Sequence, residues 1–251
     1  ATGPTATHSF AQAGTYTVQV EARDPSGATS TASTTVTVST VPLAAVAFRG
    51  AAGAGTNNTS VSPRIPTNVQ PGDALLLFVS ANRADTTLQA PVGWQSLGTR
   101  VDESMQSQLW VRVAQTGDAS ATVRATSSAT AKLTAQVVAY SGTNVMQPVA
   151  VAASAAQTRK TAAHTTPVVS TSPSAWAVSL WANKSASTSG WTAPAATTVR
   201  HFQTTTGGGR VTSLVADSGG PVGGTSAGGL TATASQSSNT ATMWTVVLAP
   251  A

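Results

Sequence analysis

Eight acidic residues and three histidines are the whole supply of side chains for acid–base or metal chemistry in this 251-residue chain. Glycoside hydrolysis needs two carboxylates about 5 to 10 Å apart across a groove. Asp102-Glu103 is the one adjacent acidic pair, and it sits in the polar run "RVDESMQSQ", which reads as an exposed, solvated loop. His8, His164 and His201 lack the close spacing of a local metal motif. His8 reads as a structural residue, and His164 is expected to make a hydrogen bond at the start of a strand. No Gly-x-Ser-x-Gly elbow is present for a nucleophilic serine. The glycines at 207–209 and 219–224 lack the Lys-Ser/Thr ending of a phosphate cradle and any following helix. There is no cysteine, so neither a disulfide framework nor a thiolate metal site is possible. The expectation is a protein without catalytic residues, metal or cofactor.

Aromatic residues carry the stronger functional signal. Six Trp stand against two Tyr and four Phe, so indole is used out of proportion. Strand alternation places Trp176 with Val178 and Leu180, and Trp244 with Val246 and Leu248, as core anchors. Trp94, in "PVGWQSLG", reads as a plug over one end of a sandwich. Trp110 shares a face with Arg112. Trp181 lies opposite Trp176 and next to Asn183-Lys184, and Trp191 sits in the loop "STSGWTAP". An exposed indole beside polar side chains can stack on the C–H face of a sugar while its neighbours bond the hydroxyls. Trp181, Trp191, Asn183, Lys184, Trp110 and Arg112 are therefore the candidate ligand-binding residues. Trp181 and Trp191 are expected to share one groove.

Something must hold those side chains, and composition says what. Only 8% of residues are charged, against about 25% in an average protein. Thr, Ser, Ala, Gly and Val take their place, while helix-forming Glu and Lys number two and three. That bias predicts an all-β fold. The net charge of +5 and sequence pI near 10.5 invite a nucleic-acid reading. The thirteen basic residues are scattered singly apart from Arg159-Lys160, however, and phosphate binding needs clustered charge. No nucleic-acid partner is expected. No apolar run reaches the roughly 18 residues of a membrane span, so none is predicted.

The first strands are sharply patterned. In Thr15 to Ala22, residues Tyr16, Val18, Val20 and Ala22 alternate with polar ones, Asp24-Pro25-Ser26-Gly27 makes a turn, and Ser33 to Val38 alternates again. With Thr7-His8-Ser9-Phe10, Gly14-Thr15-Tyr16-Thr17-Val18 and Thr35-Val36-Thr37-Val38, this resembles the C-terminal half of a PKD domain, a small Ig-like sandwich of secreted and cell-surface proteins. The resemblance covers residues 1–39. The family's earlier strands and its Trp-Asp-Phe-Gly-Asp-Gly motif do not precede it here. The resemblance implies a partial Ig-like sandwich with upstream domains in the same polypeptide.

After a short linker at 39–42, residues 43–251 form the second region. It contains a diverged repeat of about 43–144 and 145–251. "PGDALLLFVSANRADTTLQAPVGW" from Pro71 faces "PSAWAVSLWANKSASTSGWTAPAAT" from Pro173, and "VRATSSATAKLTAQVVAYSG" from Val123 faces "ATASQSSNTATMWTVVLAP" from Ala232. Strands are predicted at 44–50, 61–69, 74–81, 107–114, 119–126 and 132–140. In the second copy they are predicted at 149–155, 165–171, 175–182, 197–204, 210–216, 230–236 and 241–248. Runs this short read as a β-sandwich or jelly roll. One sandwich holding both copies is favoured over two small domains joined near Asn144-Val145. The region also resembles a β-sandwich module that follows PKD or fibronectin-like repeats in bacterial extracellular proteins.

The functional expectation is a non-catalytic accessory region of a secreted bacterial protein, binding a polysaccharide, a cell-surface glycan or another surface. The alternative is a structural spacer or adhesin module with no small-ligand site. Burial separates them: an exposed Trp in a concave site favours binding, and buried Trp throughout favours the spacer.

Overall fold

The structure, a computed structural model, describes residues 7–38, 45–157 and 159–251, and among these there is no helix. The linker at 39–42 and the start at Leu43 fall outside the described residues. The chain divides into two compact units, Ala1–Leu43 and Ala44–Ala251.

In the first unit, β1 (Gly14–Arg23) pairs antiparallel with β2 (Thr29–Val38) in unbroken register from Gly14 opposite Val38 to Arg23 opposite Thr29. Asp24 builds the connecting turn, its Oδ1 accepting from Ser26 Oγ at 2.7 Å and from Ala28 N at 2.9 Å. Gly27 supplies the positive φ of 93° that the turn requires. Phe10 packs on Tyr16 with ring centroids 4.4 Å apart. Val18 and Val20 remain exposed on the ribbon.

The second unit is built around two large sheets, with two small ones beside them. Its strands are β3 (Ala47–Val61), β4 (Ala74–Ala81), β5 (Leu88–Gln89), β6 (Gln95–Asp102), β7 (Met105–Val113) and β8 (Ala125–Ser141) in the first half. The second half has β9 (Val149–Ala156), β10 (Thr161–Thr165), β11 (Val169–Ser170), β12 (Trp176–Lys184), β13 (Trp191–Thr192), β14 (Thr198–Thr204), β15 (Val211–Pro221), β16 (Ser226–Ala227), β17 (Thr231–Ser238) and β18 (Ala241–Leu248). One large sheet runs β3-β8-β4-β7-β6 and the other, read from its far edge, β9-β18-β12-β15-β14; the small ones are β10-β17-β13 and β11-β16. The two halves thus share one strand order, with β3 standing for β9, β4 for β12, β6 for β14, β7 for β15 and β8 for β18.

The contacts between the sheets obey the same exchange. β3 packs on β14 and β9 on β6; β15 packs on β8 and β7 on β18; β12 packs on β7 and β4 on β15. Contacts that swap into one another in this way are the mark of a two-fold relation, as in an isologous dimer. Even the irregularities correspond: β6 bulges between Ser96 and Gly98, and β14 between Val199 and His201.

Leu76 and Phe78 from β4 meet Val178 and Leu180 from β12 in the shared core, joined by Val138, Tyr140, Trp176, Trp244, Val246 and Leu248. Burying each large apolar side chain contributes roughly 1.5–3 kcal/mol. The outer faces are covered as well. Leu75, Leu77, Val79 and Trp110 lie under the segments carrying Ile65, Val69, Leu88 and Trp94. Trp181, Leu214 and Met243 lie in a cluster with Ala232 of β17 and Trp191 of β13, in the small sheet β10-β17-β13. Central strands covered on both faces read as unbroken apolar runs, as "ALLLFVSA" and "ATMWTVVL" do.

Three strand expectations need correction. Residues 61–69 are not a strand; β3 ends at Val61, and Arg64 makes only an isolated bridge to Thr122. The strand predicted at 119–126 is mostly turn and loop; only Ala125 and Thr126 join β8, which runs unbroken through 132–140 and pairs with β3 along most of its length. β6 lies outside the predicted strands, because "QSLGTRVD" is an edge strand with a single buried residue and lacks an apolar period.

Candidate functional site

Trp181 and Trp191 are brought together, but in a packed interior and not a groove. Trp181 is fully buried, and its indole Nε1 donates to the His164 carbonyl at 2.9 Å. Alternation correctly turns it away from Trp176, and that second face is buried too, because β17 and its neighbours cover it. Trp191 is half-buried on the rim of the same cluster. Its Nε1 donates to Thr212 Oγ1 at 3.1 Å, and that hydroxyl donates to Asn183 Oδ1 at 2.6 Å. Asn183, fully buried, donates from its own Nδ2 to Thr188 Oγ1 at 3.1 Å. The chain of bonds clamps the loop before Trp191 onto β12 and leaves Asn183 no free donor face toward solvent.

His164 completes this interior. Its ring lies 5.3 Å from that of Trp191, and its Nδ1 pairs with Gln157 Oε1 at 3.0 Å. Burial lowers its pKa to about 4, so the ring is neutral at ordinary pH.

Trp110 is also a core residue, 1% exposed on the outer face of the first sheet. Arg112 beside it is engaged by Asp118, with one guanidinium nitrogen 2.7 Å from each carboxylate oxygen. The exposure expected for Trp110 and Trp181 is therefore corrected. Sheets covered on both faces bury an indole whichever way it points.

Lys184 is the candidate that faces a surface depression, a cleft of about 270 Å³ shared with Asn82, Arg83, Asp85 and Glu103. Its Nζ donates to the Ser104 carbonyl at 3.0 Å. Burial, and then the nearby Arg83, hold its pKa below the usual lysine range. Arg83 is paired with Asp85. The expectation of a solvated Asp102-Glu103 pair holds for only one residue: Asp102 is 6% exposed and accepts from Ala241 N at 2.7 Å. Glu103 sits exposed at the turn with φ of 24°.

The sequence reading missed a buried charged set between the sheets. Tyr140, Asp217 and Arg200 meet there, with Arg200 Nε 2.7 Å from Asp217 Oδ2 and its guanidinium 4.2 Å from the Phe48 ring centroid. The signal was present in β15, where Asp217 continues the inward period of Val211, Ser213 and Val215.

Residues 1–38 match the PKD domain family, the Ig-like module anticipated from the first strands, and an all-β sandwich-like body follows. PKD domains are non-catalytic and typical of extracellular proteins, and the match points to an extracellular accessory or adhesion-type module. Neither a curated protein nor a solved structure matched the chain. No described helix is long and apolar enough to cross a membrane.

Proposed function

We propose that the chain is a non-catalytic accessory module of a secreted protein, acting as a rigid spacer or adhesion-type body beside partner domains of the same polypeptide. The observation that carries this reading is the fate of the indoles. Trp94, Trp110, Trp176, Trp181 and Trp244 are each less than a tenth exposed, so none offers a flat face to a polysaccharide. The carboxylates point the same way. Asp73 is held by Arg49, Asp118 by Arg112, Asp217 by Arg200, and Asp102 by a backbone amide. Acids committed to structural partners are poorly placed for general acid–base work.

Depletion by insoluble chitin, cellulose, xylan and peptidoglycan tests the reading against a tryptophan-platform glycan binder. The protein should stay in the supernatant with all four. Retention that is lost in Trp191→Ala at an unchanged melting temperature would instead favour glycan binding through the one half-buried indole.

A further inference from the structure

The two-fold relation between the halves makes each a control for the other, and at one place they differ sharply. Pairing registers fix the correspondence. Leu76 lies opposite Val138, and Val178 opposite Val246, so Leu75 corresponds to Ala177. Leu77 pairs with Trp110 as Ser179 pairs with Ala216, so Trp110 corresponds to Ala216. Trp94 N bonds the Pro91 carbonyl as Thr197 N bonds that of Pro194, so Trp94 corresponds to Thr197. Arg112 follows Val111 as Ser218 follows Asp217. On the outer face of the first sheet this spot is filled by a leucine, two indoles and a guanidinium. The guanidinium ties down the following loop through Asp118. On the second sheet the same four positions hold two alanines, a threonine and a serine, and the following loop is rich in glycine.

Ala216 is covered by the Trp181 cluster, but beside Ala177 and Ser218 the lost side-chain volume is not made good. A cleft of about 290 Å³ opens there, walled by Ala177, Ala196, Ser218, Val222, Ser226 and Gly228. Close-packed proteins rarely leave such space beside a covered sheet. Farther along β12 the second half carries an indole on this face, at Trp181, where the first half has Val79. The emptied position is thus local and not a general thinning of the second half.

We propose that this cleft binds one neutral sugar ring. No charged side chain lines it, which disfavours anions and cations. Methyl-bearing walls from Ala177, Ala196 and Val222 alternate with the hydroxyls of Ser218 and Ser226 and the peptide groups of the glycine-rich loop. A pyranose presents the matching combination of a C–H face and a rim of hydroxyls. The volume lies at the lower end of the roughly 300–1,000 Å³ usual for ligand sites, which admits one ring and not an oligomer. Binding without an aromatic platform is weak and would escape a depletion assay on insoluble polymers. The site goes beyond the accessory role and is independent of it.

Amide NMR of the whole chain, titrated with the methyl glycosides of glucose, galactose and N-acetylglucosamine and with indole as a contrasting ring, tests the proposal. At least one glycoside should shift the amides of Ala177 and of residues 218–230, with saturation. Ala177→Leu, which restores the side chain of the first half, should abolish those shifts. Ala196→Leu does the same from an exposed position on the mouth and guards against a variant that fails to fold. No shift with any glycoside, shifts that survive both substitutions, or saturation by indole alone would each overturn it.

Discussion

The Tyr140 hydroxyl donates a hydrogen bond to the Asp217 carboxylate, 2.9 Å away on the facing sheet. Burial, reinforced by that carboxylate, pushes the Tyr140 pKa well above the ordinary tyrosine value, so the phenol stays a donor. Arg200 closes the set on the same carboxylate oxygen. The two-fold-related position holds Leu248, Val111 and Leu97 in place of Tyr140, Asp217 and Arg200, with Val149 in place of Phe48. The fold therefore accepts an apolar and a charged solution to the same packing problem within one chain.

That comparison gives a prediction about stability. Asp217→Ala alone should cost about 3 kcal/mol in urea unfolding, because Arg200 and Tyr140 lose their buried partner. The triple variant Tyr140→Leu, Asp217→Val, Arg200→Leu should recover most of that loss, since apolar replacement of a whole buried set is often neutral or better. A triple variant less stable than Asp217→Ala would show that the two sites are not interchangeable.

Acid should weaken the second unit through His164. Its folded pKa of about 4 lies below the unfolded value, so the unfolded chain takes up the proton first. The contribution is fully present above about pH 6.5 and is lost as pH falls toward 4, on the order of 3 kcal/mol in all. His201, also lowered by burial, adds in the same direction. Urea midpoints measured between pH 7 and pH 4 should fall less steeply in His164→Gln than in the unaltered protein.

The sheets approach most closely at β3 and β14. A Cβ on Gly55 would come within 2.7 Å of the Thr204 carbonyl oxygen, and one on Gly53 would run into His201 Cε1. Gly55→Ala meets backbone, which cannot swing aside, and should cost about 1–3 kcal/mol. Gly53→Ala meets a side chain held by Gln136 at 3.1 Å. It should cost less than Gly55→Ala in the same urea titration, with the His201 ring displaced.

These glycines also explain what could and could not be read from the sequence. β4, β12 and β18 were legible because a strand buried on both faces is an apolar run. "GAAGAGTNN" in β3 reads as a loop, since the reason for Gly53 and Gly55 is a neighbour some 150 residues away. Alternation told which side of β12 carries Trp181. It could not tell that the side is covered, because the cover comes from β17, a strand mostly of Ser, Thr and Ala with little apolar signal. The two halves share a strand order, but the Ala-Asn common to Ala81-Asn82 and Ala182-Asn183 is one residue out of register. Ala81 faces outward and Ala182 inward. A one-residue slip exchanges the faces of a strand, so the match by letter hid the match by structure.

Equilibrium unfolding of Trp181→Ala, read beside its behaviour on insoluble polysaccharide, tests most directly whether the indoles of this chain are core and not platform. Removing a fully buried indole should cost about 3–5 kcal/mol and lower the melting temperature markedly, while the unaltered protein is not retained by the polymer. A Trp181→Ala variant with an unchanged unfolding midpoint that loses a polysaccharide retention shown by the parent would contradict the account.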